Sequence, residues 1–190
     1  MDPVKIAVVG SPKVGKTAIV RQYTTGSFSE ANYIPTADNS FIIRREIKGK
    51  LYELEIEDTA GSREHARARE IAIANADAFV VVYSVANLDS FLDSKDFIQM
   101  ILEIKAGHPV PIMLVGNKID LDEENRVVSL NDAEALARKY NTGFLEVSAK
   151  EGKLVDDVFS ELMAKVEKRR LSRMRNAPSL KDEKRCCCLL

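Results

Sequence analysis

The feature that most constrains this chain is the segment of residues 10–17, which reads Gly-Ser-Pro-Lys-Val-Gly-Lys-Thr. Its spacing, G-x-x-x-x-G-K-[ST], is that of a phosphate-binding loop. In such a loop the backbone N–H groups hold phosphate oxygens, and the following helix adds its positive N-terminal end. The residues Val4–Val9 predict a strand before the loop, and Lys16–Thr25 predict a helix after it. This context favours a phosphate site over a glycine-rich turn with an incidental lysine.

Apolar runs of strand length alternate with helical patterns along the rest of the chain. Residues 78–85 and 112–115 are continuously apolar, as expected of parallel strands covered on both faces. Further strands are predicted at residues 41–47, 51–56 and 143–147, with a turn at residues 48–50 joining the first two. Helices are predicted at residues 64–75, 89–106, 131–140 and 154–173.

The alternation predicts an α/β fold of the P-loop nucleotide-binding type. We expect a mostly parallel six-stranded sheet with one antiparallel edge strand, flanked by five helices. The fourth of these helices is predicted to begin with a capping box formed by Asn131 and Glu134.

Charge divides the chain into an acidic body and a basic end. Residues 165–185 carry nine Lys or Arg and three Asp or Glu, whereas the remainder carries 19 basic and 26 acidic residues. We predict one folded domain over residues 1–175 and a disordered tail over residues 176–190. An anionic membrane is the expected partner of the basic end. The net charge of −1 gives no overall case for nucleic acid, and a monomer is expected.

A second motif, Asn117-Lys118-Ile119-Asp120, follows the strand predicted at residues 112–115. Ligands of open α/β sheets bind at the carboxyl ends of strands. The Asp120 carboxylate can accept two hydrogen bonds from guanine, through N1–H and the 2-amino group. Adenine would leave this carboxylate unpaired, and such polar pairing can discriminate by roughly 10⁴. The alternative for Asn117 or Asp120 taken alone is a helix cap or a turn.

Together with three further motifs, these segments resemble those of small GTPases of the Ras superfamily, over about residues 4–171 and the tail. The others are Pro35-Thr36, Asp58-Thr59-Ala60-Gly61 and Ser148-Ala149-Lys150, and all five occur in the family's order and spacing. Residues 33–41 are most similar to the Ras-type effector segment. Glu57 stands where Rab proteins usually carry Trp, and residues 121–127 are too few for the extra helix of Rho proteins.

The resemblance implies a molecular switch that binds GTP or GDP with Mg²⁺ and hydrolyses GTP. The implied nucleotide-binding residues are Gly10, Lys13, Val14, Gly15, Lys16, Thr17, Ala18, Phe28, Thr36, Gly61, Asn117, Lys118, Asp120, Ser148, Ala149 and Lys150. The implied Mg²⁺ ligands are Thr17, Thr36 and, through a water, Asp58. The implied catalytic residues are Lys16, Thr36, Gly61 and Ser62. The implied effector surface is Tyr33, Ile34, Pro35, Thr36, Ala37, Asp38, Asn39, Ser40 and Phe41.

The resemblance also implies how the base is held and which partners act on the switch. Phe28 would lie edge-on against the guanine, the Lys118 stem would cover a ring face, and the Ala149 N–H would reach guanine O6. The alternative for Phe28 alone is a core aromatic residue. Effector proteins, a guanine-nucleotide exchange factor and a GTPase-activating protein are the implied partners.

Two departures from the family pattern concern catalysis. Ser62 stands where Ras proteins usually have the Gln that orients the attacking water. Pro12 and Lys13 stand where they usually have two glycines. Pro12 fixes φ and removes an N–H, and its ring would occupy space beside the γ-phosphate, where an activator's arginine would enter. We therefore predict slow intrinsic hydrolysis. The alternative is that Glu64 or His65 replaces the missing Gln.

The three cysteines of the chain are Cys186, Cys187 and Cys188, next to the C-terminal Leu189-Leu190. Residues 187–190 fit a C-a-a-X signal with Cys187 as the prenyl acceptor, and a final Leu favours geranylgeranyl. Cys186 is a candidate for palmitoylation. We expect the cytoplasmic face of a membrane, with the plasma membrane as the leading candidate. The alternative is a solvated basic helix end that only complements the helix dipole.

Two rival functions remain open at the level of sequence. Ser62 and Pro12 also suit a constitutively GTP-bound scaffold that hardly hydrolyses its nucleotide. A phosphate-binding loop alone also suits a kinase of small molecules, although residues 117–120 and the cysteine-rich end argue against it.

Overall fold

A six-stranded sheet forms the centre of the molecule in a computed structural model that describes residues 3–28, 39–61 and 63–176. The strands are β1 (Val4–Val9), β2 (Asn39–Ile47), β3 (Lys50–Asp58), β4 (Ala78–Ser84), β5 (Ile112–Asn117) and β6 (Gly143–Val147). Their order across the sheet is β2-β3-β1-β4-β5-β6. Only the β2–β3 pair of these described strands is antiparallel. The predicted α/β fold is therefore confirmed, including its antiparallel edge strand.

Five helices cover the two faces of the sheet, as predicted. They are α1 (Lys16–Thr25), α2 (Ala66–Asn75), α3 (Leu88–Ile104), α4 (Leu130–Tyr140) and α5 (Val155–Asn176). One core cluster joins the sheet to α1 and α5, where Tyr23 stacks on Phe159 with ring centroids 3.8 Å apart. The other cluster joins the sheet to α2, α3 and α4.

The alternation of side chains along β1 shows how the strand serves both layers. Ile6 and Val8 belong to the cluster with α1 and α5, whereas Ala7 and Val9 belong to the opposite cluster. All seven residues of β4 are buried, which explains its continuously apolar sequence. Each large apolar side chain buried in this way contributes roughly 1.5–3 kcal/mol. The central strands are thus held firmly, and their carboxyl ends form a stable base for loops.

The predicted capping box at Asn131 and Glu134 is wrong. The N-cap of α4 is Ser129, whose hydroxyl accepts a hydrogen bond of 3.1 Å from the N–H of Asp132. The helix therefore begins at Leu130, and Asn131 already lies inside its first turn. Glu134 instead forms an ion pair of 3.0 Å with Arg138, one turn further along the helix.

Several other element ends differ from the sequence-based bounds by a few residues. A 3₁₀ turn at Arg63–His65 precedes α2, which begins two residues later than predicted. Strand β2 begins two residues earlier than predicted, at Asn39, and α5 continues to Asn176. The tail predicted beyond this helix lies outside the described residues. No helix in the described part of the chain has the length and apolar composition needed to cross a membrane.

Candidate functional site

The phosphate-binding loop lies between β1 and α1, at the carboxyl end of the sheet. Its two motif glycines have positive φ angles, 148° at Gly10 and 100° at Gly15. A Cβ atom on Gly10 would lie 2.2 Å from the carbonyl oxygen of Val82, and one on Gly15 would lie 2.2 Å from Nδ2 of Asn117. Both positions therefore require glycine for backbone angle and for space. The loop forms a narrow cradle that side chains would fill.

Lys16 at the start of α1 is folded into this loop. Its side chain is buried, with 7% exposed, and its Nζ donates to the carbonyl oxygens of Gly10 and Ser11 at 3.0 Å each. Burial lowers the pKa of Lys16 to about 8, while the charge of Asp58 opposes this change and that of Arg69 adds to it. The ammonium group is thus held by weak neutral acceptors that a phosphate can replace.

Thr17 and Asp58 meet beside the loop. The Thr17 hydroxyl donates a hydrogen bond of 2.6 Å to Oδ2 of Asp58, the last residue of β3. The parallel register between β1 and β3 pairs Val8 with Asp58 and so brings the carboxylate to the loop. A hydroxyl and a carboxylate are hard oxygen ligands of the kind that Mg²⁺ prefers. The residues present therefore fit a bound Mg²⁺ ion.

Asn117 connects the phosphate loop to the loop after β6. Its side chain is buried, and Nδ2 donates to the carbonyl oxygen of Val14 at 2.9 Å. Its Oδ1 accepts a hydrogen bond of 3.1 Å from the N–H of Ala149. The Ala149 N–H, which was predicted to reach guanine O6, is thus engaged with Asn117 in this structure. The contact would have to open or be shared when a base binds.

Asp120 is oriented by Ser148 rather than by a helix cap. The Ser148 hydroxyl donates a hydrogen bond of 2.7 Å to Oδ1 of Asp120 and accepts one of 3.0 Å from the N–H of Glu151. Lys118, between the two motif residues, has a φ of 75°. Burial lowers the pKa of Lys118, with the charge of Asp120 opposing the change. The two base motifs are therefore joined directly, as a single recognition site requires.

Phe28 follows α1 by three residues and is not a core residue. Its side chain is 37% exposed, which removes the structural alternative considered for it. Of the predicted effector segment, Asn39 and Ser40 are exposed at the start of β2, and Phe41 is partly buried against the core. The remaining effector residues, Tyr33 to Asp38, lie outside the described residues together with Ser62 and the cysteines. Thr36, predicted as a Mg²⁺ ligand and catalytic residue, is among them.

Gly61 packs against the phosphate loop more closely than the sequence indicated. A Cβ atom there would lie 2.7 Å from Nζ of Lys16 and 2.7 Å from the backbone nitrogen of Pro12. Arg69 of α2, with 6% exposed, fixes the preceding residue by donating to the carbonyl oxygen of Ala60 at 3.1 Å. Ala60 and Gly61, at the start of the segment that leads from β3 to α2, are therefore held by both the phosphate loop and α2.

Two further contacts of the site were not predicted from the sequence. Ser11 of the loop donates a hydrogen bond of 2.5 Å to Oδ2 of Asp93 on α3. Arg126 forms a bidentate contact with the Glu146 carboxylate on β6, at 2.9 and 2.8 Å. This contact connects the segment after Asp120 to the sheet. Ser11 occupies one of the positions that the loop motif leaves unspecified, and Asp93 belongs to no motif. The sequence therefore does not predict their contact.

The site thus joins a phosphate cradle, a pair of Mg²⁺-type ligands and a guanine-type motif at one end of the sheet. Residues 5–168 of the chain match the sequence model of the Ras family. This match spans all five motifs and most of the chain, and it confirms the identity predicted from them. The chain therefore belongs to the Ras family and is a small GTPase of the Ras superfamily.

Proposed function

We propose that this small GTPase is a slow switch that acts at a membrane. It binds GTP or GDP with Mg²⁺, hydrolyses GTP slowly, and offers an effector surface in its GTP form. The slow rate rests chiefly on one observation, the close approach of Gly61 to Pro12, where an added Cβ would lie 2.7 Å from the proline nitrogen. The Pro12 ring thus stands beside the glycine that we assign to the γ-phosphate.

The phosphates are held by the loop of residues 10–17 and by Lys16. On nucleotide binding, Nζ of Lys16 leaves the carbonyl oxygens of Gly10 and Ser11 for the β- and γ-phosphate oxygens. Thr17 and Thr36 would hold the Mg²⁺ ion directly, and Asp58 would hold it through a water. When bound, Mg²⁺ offsets the negative charge on the phosphate oxygens. Support for this assignment comes from the 2.6 Å hydrogen bond between Thr17 and Asp58.

The guanine base is recognised by Asp120, which accepts hydrogen bonds from N1–H and the 2-amino group. The contact with Ser148 supports this role, because it holds the carboxylate in one orientation without using both of its oxygens. The Lys118 stem and Phe28 enclose the ring, and Ala149 and Lys150 complete the site. Asn117 links the base site to the phosphate loop, because its side chain contacts Ala149 of the base site and Val14 of the loop.

Hydrolysis requires a water in line with the γ-phosphate, and positioning supplies most of the rate. Gly61 donates its N–H to the γ-phosphate. Ser62 follows directly, and its side chain is the nearest in sequence that can hydrogen-bond to the attacking water. A serine hydroxyl is shorter than a glutamine amide, so Ser62 acts at best through a second water. Pro12 further narrows the entrance through which an activating protein would insert an arginine.

The test is single-turnover GTP hydrolysis by the wild type, Ser62→Gln and Pro12→Gly. We expect Ser62→Gln to raise the rate by about tenfold or more, since positioned groups contribute about 10²–10⁴ in rate. Ser172→Gln on α5 makes the same change far from the loop and should leave the rate unaltered. Equal rates in the wild type and Ser62→Gln would refute the role of Ser62. A loss of rate in Glu64→Ala or His65→Ala would identify either residue as its substitute.

Membrane attachment is proposed through Cys187 as prenyl acceptor, with Cys186 as a second lipid site. One lipid chain gives only marginal residence, so the basic end of the chain supplies the further signal. Effectors, an exchange factor and an activating protein would meet the segment of residues 33–41 and the start of α2. If Cys187→Ser leaves membrane fractionation unchanged in cells, the lipid assignment fails.

A GTP-loaded scaffold is the second candidate, and Pro12 is the observation that favours it. The same turnover assay separates the two functions. A hydrolysis rate slower than GTP release would make the protein a scaffold that resets by nucleotide exchange. A hydrolysis rate faster than release would make it a switch.

A further inference from the structure

Helix α5 continues past the body of the protein. It spans 22 residues, Val155–Asn176, and its last buried side chain is Val166. Two large apolar side chains follow on the protruding end, with Leu171 56% exposed and Met174 72% exposed. Because they are three residues apart, they lie on one side of the helix. The end of α5 therefore carries an apolar strip that the described parts of the chain do not cover.

Cations surround this strip. Residues 165–175 contain six Lys or Arg and one acidic residue. Lys168 and Arg175 are helical neighbours of Leu171, and Arg170 is a neighbour of Met174. The acidic residue, Glu167, lies 3.0 Å from Nζ of Lys50 and 3.5 Å from Nη1 of Arg170, so its charge is matched locally.

The turn between β2 and β3 enlarges this basic surface. Lys48 and Lys50 line a hollow of about 230 Å³ together with Ala164 and Glu167 of α5. Lys48 thus adds a cation from a second element to the side of α5 that carries Glu167, while Lys50 balances the charge of that glutamate. The surface is built by two elements and is not merely the frayed end of one helix.

This surface lies at the end of the sheet opposite the nucleotide site. Arg169 donates to the carbonyl oxygen of Asp77 at 3.4 Å, and the N–H of Asp77 donates to the carbonyl oxygen of Lys5 at 2.8 Å. These residues mark the amino ends of β4 and β1, whereas the phosphate loop follows the carboxyl end of β1. A flat partner on the end of α5 would leave the nucleotide site and its loops free.

We propose that the end of α5 is itself a membrane-binding element, which inserts Leu171 and Met174 into an anionic bilayer. Lys168, Arg170 and Arg175 meet the lipid headgroups, as in helices that lie at a membrane interface. The inference rests on the proposed membrane function of the tail and deepens it. Nine residues separate Asn176 from Cys186, and the ten Cα–Cα steps between these two residues can span at most about 35 Å. A lipid on the cysteines would therefore keep the helix end close to the bilayer.

The insertion can be detected directly because the chain has no tryptophan. Leu171→Trp would give the full-length protein its only tryptophan, at the proposed contact. We expect its emission to shift to the blue with vesicles of phosphatidylcholine and phosphatidylserine and not with phosphatidylcholine alone. The matched control is Leu92→Trp on α3, a leucine that is 57% exposed and that precedes Asp93, which contacts the phosphate loop. Its emission should not change.

The cysteines allow the insertion to be separated from lipidation. Because all three cysteines lie at positions 186–188, coupling to a maleimide lipid anchors the tail to vesicles without any prenyl group. We expect the Leu171→Trp emission to remain shifted in anchored protein on anionic vesicles. An unchanged spectrum in anchored protein would overturn the insertion and leave the lipid assignment intact. An unchanged fractionation of Cys187→Ser would instead overturn the lipid assignment alone.

A double substitution in the otherwise unchanged chain tests how much the two apolar side chains contribute to membrane binding. Leu171→Ser with Met174→Ser should lower partitioning of the unlipidated chain onto anionic vesicles by about tenfold, because exposed apolar area is removed. Leu88→Ser with Leu92→Ser removes a comparably exposed pair from α3, at 50% and 57%, and should leave partitioning unaltered. Equal losses in both pairs would contradict the proposal.

Discussion

The hydroxyl of Ser11 in the phosphate loop donates a hydrogen bond of 2.5 Å to Asp93 on α3. Ser11 itself is 8% exposed, and its carbonyl oxygen accepts from Nζ of Lys16 at 3.0 Å. A Cβ on Gly61 would lie 2.8 Å from its carbonyl carbon. One residue thus connects α3 with Lys16 and Gly61, the two residues that we assign to the γ-phosphate. Movement of α3 would be transmitted to the loop through this contact.

Ser11→Ala should therefore speed the release of bound GDP. A hydrogen bond to a charged group is worth about 1.5–3 kcal/mol, and the exposure of Asp93 reduces this figure to about 1 kcal/mol. The expected change is about three- to tenfold in the release rate, measured with a fluorescent GDP analogue. Asp93→Asn keeps an acceptor for the hydroxyl and should change the rate less. Release at the wild-type rate from Ser11→Ala would contradict the coupling.

Gly15→Ala should abolish nucleotide binding and lower stability. The new Cβ would lie 2.2 Å from Nδ2 of Asn117, at a residue whose φ is 100°. Both the collision and the backbone angle are unfavourable, so we expect a loss of more than about 2 kcal/mol in unfolding free energy. Gly107→Ala is the control, since its φ is 69° but no atom lies within 4 Å. It should cost about 1 kcal/mol, and urea unfolding compares the two.

The parts of the site that follow one another in sequence could be predicted, and the contacts between distant segments could not. The loop, α1 and the ends of β1 and β6 depend on local glycine chemistry and apolar runs, and they agree with expectation. Ser11 and Asp93 are 82 residues apart, and neither carries a pattern that selects the other. The same holds for Arg126 and Glu146, which only the folded sheet brings together.

The misplaced start of α4 shows a different limit. Ser129 and Asn131 are both good N-cap residues, each with an acidic residue three positions later. The choice is made by tertiary contacts, because the N–H groups of Val127 and Val128 both donate to the carbonyl oxygen of Val85. These bonds hold the chain extended up to Ser129, and the helix starts at the next residue. Local N-cap propensity therefore allows two start positions for α4, and tertiary packing determines which one is used.

Asp120→Asn should change which base the protein prefers. The carboxylate accepts from the guanine 2-amino group in our proposal, whereas an amide can donate to the C2 carbonyl of xanthine. We expect GTP affinity to fall by at least about 10² and XTP affinity to exceed it, as judged from the cost of leaving polar groups unpaired. Competition titrations with both nucleotides provide the measurement. Unchanged preference for GTP would show that Asp120 does not read the base.

The ionisation of Tyr23 should lower the unfolding free energy at alkaline pH. Its side chain is 4% exposed, and burial raises the pKa of Tyr23 to about 12, with Arg45 opposing and Asp156 adding to the change. The folded state therefore favours the neutral phenol. The stabilisation that Tyr23 adds to the unfolding free energy is complete below about pH 10, the pKa of tyrosine in the unfolded chain. It is lost as the pH rises through about 12.

The expected loss across this window is about 2–3 kcal/mol, at 1.36 kcal/mol for each pKa unit. Tyr23→Phe cannot ionise and should remove this part of the slope. Burial also raises the pKa of Tyr83, so a slope of the same sign should remain in Tyr23→Phe. Urea unfolding of both proteins between pH 8 and pH 11 tests the point, and it covers about half of this loss, about 1.4 kcal/mol. The two curves should run parallel up to about pH 9 and diverge above it, and parallel curves throughout would refute the role of Tyr23.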